Sequence, residues 1–381
     1  MGKLMVGILG ATGAAGLEFV RALDWHPWFQ IAGLYASEKS AGKSLEEACS
    51  LDTANVSGDV RAMILHPLAE ITADLDLICS ALPSDVAKAI EAQCAQHTPV
   101  ISTASAFRYE PDVPILITEI NPEHYHLLET QQIRGWDGWI APGPNCTTVG
   151  LVMSLAPIYR EVGIKRVVMS SYQAVSGGGS SLLQLWSDQR RELVSGDRLN
   201  LPNPLAGLDV PVINPDRALE GNVIGCIEGE ERKVKRETMK ILGELNGNRV
   251  YNANFLVDCY CVRVPVLQGH FETVFVETKD SCSPDDLIKI YAAFNEQATR
   301  RFGSLPSSPK ETIVVLDRAP QPFYDVNLHG GMAAVVGRIK RGESQNWIKY
   351  QVLSNNTQRG AAKGMVQVAE YLHKTGFLKA K

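Results

Sequence analysis

An apolar run, Met5-Val6-Gly7-Ile8-Leu9, goes straight into Gly10-Ala11-Thr12-Gly13-Ala14-Ala15-Gly16, and then into an amphipathic pattern of Leu17, Phe19, Val20, Ala22 and Leu23. No other stretch restricts the fold of this chain as much. An unbroken apolar run reads as a strand buried on both faces, the kind found in parallel sheets. The pattern behind it has helical period. Glycines between the two let backbone approach a pyrophosphate, and the helix start offers free N–H groups and the positive end of its dipole. The spacing is G-x-x-G-x-x-G, not the commoner G-x-G-x-x-G. Its position directly after a strand makes it a dinucleotide signal, with Gly10, Thr12, Gly13, Ala14 and Ala15 as the contact residues.

The strand and turn pattern repeats. Ile31 to Tyr35 reads as a second strand, followed by Ala36-Ser37-Glu38-Lys39-Ser40-Ala41-Gly42-Lys43. No acid ends the strand itself, and the hydroxyls and cation suit a 2'-phosphate, which favours NADP. Glu38 keeps NAD open, since a carboxylate there could take free ribose hydroxyls. Leu75 to Leu82 is the next strand, with a helix capped by Pro83-Ser84-Asp85 and reaching about Cys94. Val100 to Thr103 is another; Arg108 beyond its end is an anion binder or a surface charge. Trp139-Ile140-Ala141 then leads into Pro142-Gly143-Pro144-Asn145-Cys146-Thr147-Thr148. The fold class expected is α/β.

That last turn places a thiol before a helical pattern running from Val149 to Tyr159. A helix start favours thiolate over thiol, and thiolate is the nucleophile. The structural alternative for a free Cys is a small buried hydrophobe. A nucleophilic thiol needs a base, and His270 is the candidate: Pro265 ends a strand and Gly269 permits a turn that aims the ring. His329, in a Gly-rich loop, is its rival. Arg263 precedes His270 on a strand and suits bidentate binding of a carboxylate.

Past residue 148 the strands lengthen and alternate, as in a sheet with one covered face. They are expected over Val167 to Gln173, Phe255 to Val264, Glu272 to Thr278, Ala333 to Ile339 and Trp347 to Leu353. Helices are expected over Glu228 to Leu242, Pro284 to Arg301 and Gly360 to His373. Ser181 to Asn222 reads as a helix plus a long excursion, a lid or an oligomer arm. The chain has 381 residues, 45% hydrophobic and 21% charged, enough for two globular domains. A net charge of -5 argues against a nucleic-acid footprint. Eight cysteines lack paired spacing, and Cys259 with Cys261 has no second pair to complete a zinc pattern, so no metal is expected. Reduced thiols point to the cytoplasm. No signal peptide or membrane-spanning stretch is visible.

Several pieces stand in one order along the whole chain: Gly10 to Gly16, Ala36 to Lys43, Asn145-Cys146-Thr147-Thr148 and Tyr172-Gln173-Ala174-Val175-Ser176-Gly177. Glu230-Glu231-Arg232-Lys233 with Glu237-Thr238, Arg263 to His270, and Asn356-Thr357 with Gly360-Ala361-Ala362 follow. Together they resemble the aspartate-semialdehyde dehydrogenase family, most of all its archaeal and fungal-type branch. The resemblance implies an N-terminal Rossmann-like NADP-binding domain over 1–148, completed by a C-terminal helix within 356–381. It implies an α+β domain over 149–355, with a mixed, largely antiparallel sheet, for catalysis and oligomerisation as a homodimer or homotetramer. Cys146 resembles the nucleophile, His270 its acid/base partner and Gln173 the residue orienting the acyl intermediate. Arg263 would bind the substrate carboxylate, Glu230 its ammonium, and Arg108 and Lys233 the phosphate, with Asn145 also on the substrate. Ser37, Lys39, Ser40, Ser80, Leu82, Gly177 and Asn356 would join the glycine turn in holding NADP, Asn356 at the nicotinamide amide. From the residues alone, Gln173 reads as an ordinary strand residue and Glu230 with Lys233 as an exposed i, i+3 pair.

The activity implied is reductive dephosphorylation of aspartyl phosphate to its semialdehyde, for lysine, threonine and methionine synthesis. A malonyl-CoA reductase or related acyl reductase on the same scaffold is the alternative, and a non-catalytic NADP-binding paralogue a remoter one. The chain departs from its relatives in four places. No Asn precedes Arg108, Lys39 stands where Arg is usual, Arg318 to Asp325 carries aromatics in place of a second Arg, and the 181–222 excursion is long.

Overall fold

The computed structural model describes residues 2–195 and 219–381. The part of the 181–222 excursion between 196 and 218 lies outside the described residues; what precedes it is a helix, Gly179–Ser195.

The first sheet is built from β1 (Leu4–Leu9), β2 (Phe29–Ala36), β3 (Leu65–Pro67), β4 (Leu77–Ser80), β5 (Val100–Ser102) and β6 (Ile140–Pro142). Its order is β3-β2-β1-β4-β5-β6, and every pairing is parallel. This is the doubly wound dinucleotide-binding order, with its crevice where strand order reverses beside β1. Both faces are covered. On one, Val6, Ile8 and Ile101 pack with Leu17 and Phe19 of the helix Ala14–Leu23 and with Met365, Val366 and Ala369 of the last helix, Ala362–Lys374. On the other, Leu9, Ile78, Val100 and Ile140 pack with Ala87 and Ala95 of the helix Ser84–Ala95. Double burial is why these strands are apolar runs instead of alternating.

The second half opens with β7 (Ile164–Gln173), then a small hairpin of β8 (Glu244–Asn246) and β9 (Arg249–Tyr251). It continues with β10 (Leu256–Arg263), β11 (His270–Thr278), β12 (Ile313–Leu316), β13 (Ala334–Arg341) and β14 (Trp347–Ser354). The main sheet runs β10-β7-β11-β14-β13-β12. Its inner pairings β7–β11, β11–β14 and β14–β13 are antiparallel, and its outer ones, β10–β7 and β12–β13, are parallel. Val167, Met169, Val257, Cys261, Val274 and Val276 point into one core with the helices Cys146–Glu161, Glu230–Ile241 and Pro284–Phe302. On the opposite face Tyr172, Leu256, Tyr260 and Phe275 remain exposed. The alternating strand pattern is this one-sided cover.

The helix Cys146–Glu161 joins the two sheets. Every residue from Thr147 to Ile158 is buried, so no face of this stretch is left to solvent, and it is largely apolar, as an enclosed helix is. It leaves the edge of the first sheet after β6 and runs under the second. Its N-terminus therefore lies where the two sheets meet.

Candidate active site

Asn145 is the N-cap of that helix; its Oδ1 accepts from the N–H of Thr147 at 2.9 Å and of Thr148 at 3.2 Å. Cys146 is the first helical residue, and its own N–H has no partner within the helix by construction. Its Sγ lies 3.2 Å from Nε2 of His270, the first residue of β11. The thiol keeps some solvent contact, yet it is packed deeply enough for desolvation to dominate its chemistry. Burial pushes it up to about 12, Glu230 adds to this, and Arg263 and Arg108 oppose it. The surroundings thus oppose the thiolate that a helix start favours. His270 is pushed down to about 3, by burial first and by Arg263 second.

The second sheet supplies the rest through strand ends that share its buried face. Gln173 ends β7 and Arg263 ends β10; the two are register partners. Ala174, just beyond β7, ties the charged groups together. Its N–H donates to His270 Nδ1 at 3.2 Å, and its carbonyl accepts from Arg263 Nη1 at 2.8 Å. The first bond assigns the proton of a neutral ring to Nε2, the nitrogen facing the sulfur. A side chain at Gly177 would meet both groups: its Cβ would lie 2.9 Å from Arg263 Nη1 and 3.1 Å from His270 Nε2. His329, the rival base, instead faces Glu311 at 3.6 Å.

Glu230 and Lys233 are an i, i+3 pair at 3.4 Å, but not an exposed one. Glu230 is 5% exposed. It accepts from Asn145 Nδ2 at 2.8 Å, Thr147 Oγ1 at 3.2 Å and Gln173 Nε2 at 3.4 Å. A helix rich in charge reads as solvated only while its long-range partners are unknown. Arg108 is likewise buried, with Nη2 on the Thr103 carbonyl at 2.8 Å and Nη1 on Glu237 at 3.1 Å. Glu237 was noticed in sequence only as part of a motif; its signal was its helical spacing of seven from Glu230.

One cleft of about 290 Å³ gathers Ala14 and Ala15 of the glycine turn, Arg108, Asn145, Cys146, Gly177, Lys233 and Asn356. Gln173, Glu230, Arg263 and His270 stand behind the thiol. The amide of Asn356 is bonded at both ends, accepting from Gly269 N–H and donating to Ser176 Oγ, each at 2.9 Å. Ser37, Lys39 and Ser40 form the turn after β2, where Ser40 N–H donates to the Ser37 carbonyl at 2.8 Å. They lie outside this cleft. Ser80 and Leu82 are buried at the carboxyl end of β4.

The crevice fits a dinucleotide. Gly10 has φ +75, and a Cβ there would meet the Ala81 carbonyl at 2.9 Å. A Cβ on Gly16 would lie 2.0 Å from the Gly10 carbonyl oxygen, so only glycine lets the helix sit this close to the turn. Gly13 caps that helix without a side chain, which leaves its first N–H groups facing the crevice. Arg318, in the segment expected to depart from the family pattern, is held by Asp325 at 2.7 Å, while Phe323 and Tyr324 are exposed.

Strand order, glycine turn and a thiol facing an imidazole in one cleft define a class: dinucleotide-binding oxidoreductases with a cysteine–histidine pair. Known proteins narrow it. Residues 5–128 match the sequence model of the semialdehyde dehydrogenase NAD-binding domain, and residues 155–359 that of its dimerisation domain. The aspartate-semialdehyde dehydrogenase of Methanothermobacter thermautotrophicus is 38% identical, over 97% of this chain and 98% of its own. The malonyl CoA reductase (NADP) of Metallosphaera sedula is 30% identical, over 98% of both chains. The crystal structure of the Candida albicans aspartate-semialdehyde dehydrogenase with NADP superposes with a TM-score of 0.80 at 29% identity, covering 99% of this chain and 100% of that one. The chain belongs to the semialdehyde dehydrogenase family.

Proposed function

We propose that this protein is an NADP-dependent, phosphorylating aspartate-semialdehyde dehydrogenase that works through a cysteine thioester. The observation that carries the reading is the 3.2 Å contact of Cys146 Sγ with His270 Nε2, in a cleft shared with the glycine turn. In the biosynthetic direction the sulfur attacks the acyl carbon of aspartyl phosphate: a C–S bond forms, the acyl C–O bond to phosphate breaks, and the thiol proton leaves with the phosphate. NADPH, held by the glycine turn, would supply the hydride for the thioester carbon; cleavage of the C–S bond then frees the aldehyde and returns the sulfur of Cys146. His270 Nε2–H donates first to the sulfur and then to the carbonyl oxygen as charge builds there. The Cys146 N–H, an unused donor at the helix start, adds to that stabilisation.

The remaining roles are those that the family resemblance implies. Arg263 takes the substrate carboxylate, Glu230 its ammonium, Arg108 and Lys233 the phosphate, and Gln173 orients the acyl group beside Asn145. Gly10 through Ala15 hold the pyrophosphate, Ser37, Lys39 and Ser40 the 2'-phosphate, and Ser80, Leu82, Gly177 and Asn356 line the nicotinamide end. Residues 1–148 with the last helix act as the nucleotide unit. Residues 149–355 carry catalysis and the contact between copies, with the exposed side of the second sheet as the surface for a homodimer, alone or paired into a tetramer. The chain works in the cytoplasm, where its thiols stay reduced. Among the described residues no helix is long and apolar enough to cross a membrane.

The test is NADPH formation from aspartate semialdehyde and phosphate, with Cys146→Ala as control. The variant is expected to lose about 10³-fold or more in kcat, as removal of a covalent nucleophile does elsewhere. A rate untouched by Cys146→Ala would end the covalent reading. Turnover of acyl-CoA esters in preference to acyl phosphates would move the substrate to the acyl-thioester class.

A further inference from the structure

The helix Glu230–Ile241 turns one face to the cleft, with Glu230, Lys233 and Glu237 at i, i+3 and i+7. The first two have roles above; Glu237 has none. Its carboxylate is fully buried, at 0% exposure, and is divided between two segments far apart in sequence. One oxygen accepts from Arg108 Nη1 at 3.1 Å and from the Tyr109 hydroxyl at 3.2 Å. The other accepts from the backbone N–H of Asn145 at 2.6 Å. Arg108 thus has both terminal nitrogens engaged, while its buried Nε has no partner among the described residues. A planar guanidinium held at two corners has one orientation.

We propose that Glu237 is a positioning residue for the reaction. One carboxylate locks Arg108 to the turn that carries Cys146, so the group gripping the substrate's phosphate and the sulfur attacking its acyl carbon stay in register. This rests on the reading of Arg108 as a phosphate holder. The demand is chemical as well as geometric. An ionised carboxylate is acceptor-only and serves donors on both oxygens, whereas an amide has one acceptor and one donor end. In Glu237→Gln the carbonyl can serve Asn145 or Arg108, and the other meets an NH₂ group. The pair also neutralises a buried guanidinium, whose charge is costly when left alone.

The experiment compares wild type, Glu237→Gln and Glu237→Asp in the full-length protein by two readouts. The first is KM for phosphate, kcat and KM for NADP. Glu237→Gln should raise KM for phosphate about tenfold, leave KM for NADP unchanged and lower kcat less than it raises KM. Arg108→Lys should cost less in the Glu237→Gln background than in wild type, because both changes disable one unit. The second readout needs no turnover: protection of Cys146 from iodoacetamide by inorganic phosphate, with the half-protecting concentration rising about tenfold in Glu237→Gln. If Glu237→Gln does not fold, Glu237→Asp, too short to reach both donors, is expected to show the same shift. A lower melting temperature with unchanged phosphate KM and protection, or additive effects with Arg108→Lys, would overturn the proposal. Failure of wild type to turn over phosphate, with protection intact and sensitive to Glu237, would instead sink the proposed activity and spare the clamp. Absence of any phosphate protection in wild type would sink the clamp.

Discussion

The parallel sheet, covered on both faces, brings mostly main chain to the cleft: a glycine turn, helix N–H groups and the capped turn at Asn145, with the side chain of Arg108, in a loop beyond β5, as the exception. The mixed sheet, covered on one face, brings side chains: Gln173, Arg263 and His270 from the ends of β7, β10 and β11. The difference follows from how each sheet is packed. Parallel strands buried on both sides have no room for charged groups, so recognition there falls to backbone beyond their carboxyl ends. An alternating strand can hide a polar residue at its end and still bury apolar neighbours behind it. Main chain is generic and suits a cofactor; side chains are specific and suit a substrate.

Three changes would break or sharpen that contrast, beginning with the largest. His270→Gln, on the side-chain half, should lower kcat about 10²-fold or more, the usual cost of a lost acid/base group, with KM for NADP unchanged in steady-state kinetics. Equal loss in both constants would show that the imidazole also shapes the cofactor site. Gly16→Val, on the main-chain half, should destabilise the fold by about 3 kcal/mol in urea unfolding, since the added carbons meet backbone that cannot yield. It should also weaken NADP binding while the alkylation rate of Cys146 in the surviving folded fraction stays near wild type. The third test is pH. Burial raises the Cys146 thiol to about 12, so the neutral thiol is the resting form, and thiolate increases as pH rises toward that value. Iodoacetamide alkylation should therefore climb about tenfold per unit from pH 7 to 9 without a plateau. A plateau below pH 8 would mean that the helix start and the Nε2–H of His270 outweigh desolvation.

What could be read from sequence was local. The glycine turn, the Cys146 turn and the alternating strands each carry their signal within a few residues, and each is where it was expected. β3 is three residues ending in proline, too short for a period to register. β12 is a short edge strand seated beside β13, and nothing near it in sequence marks that pairing. The burial of Glu230 depends on Asn145, Thr147 and Gln173, which lie 57 to 85 positions away. The desolvation that raises the Cys146 thiol is hidden from a local reading for the same reason. The helix start is visible in sequence, whereas the protein packed around the sulfur is not.

The last helix covers the first sheet. Met365, Val366, Val368, Ala369 and Leu372 fill the core over β1 and β5, and Arg359 reaches the buried Glu119 in an ion pair. Synthesis must therefore pass Leu372 before the sheet begun at Leu4 can close. Until then that early half presents an oily flank, and the order of synthesis is not the order of completion.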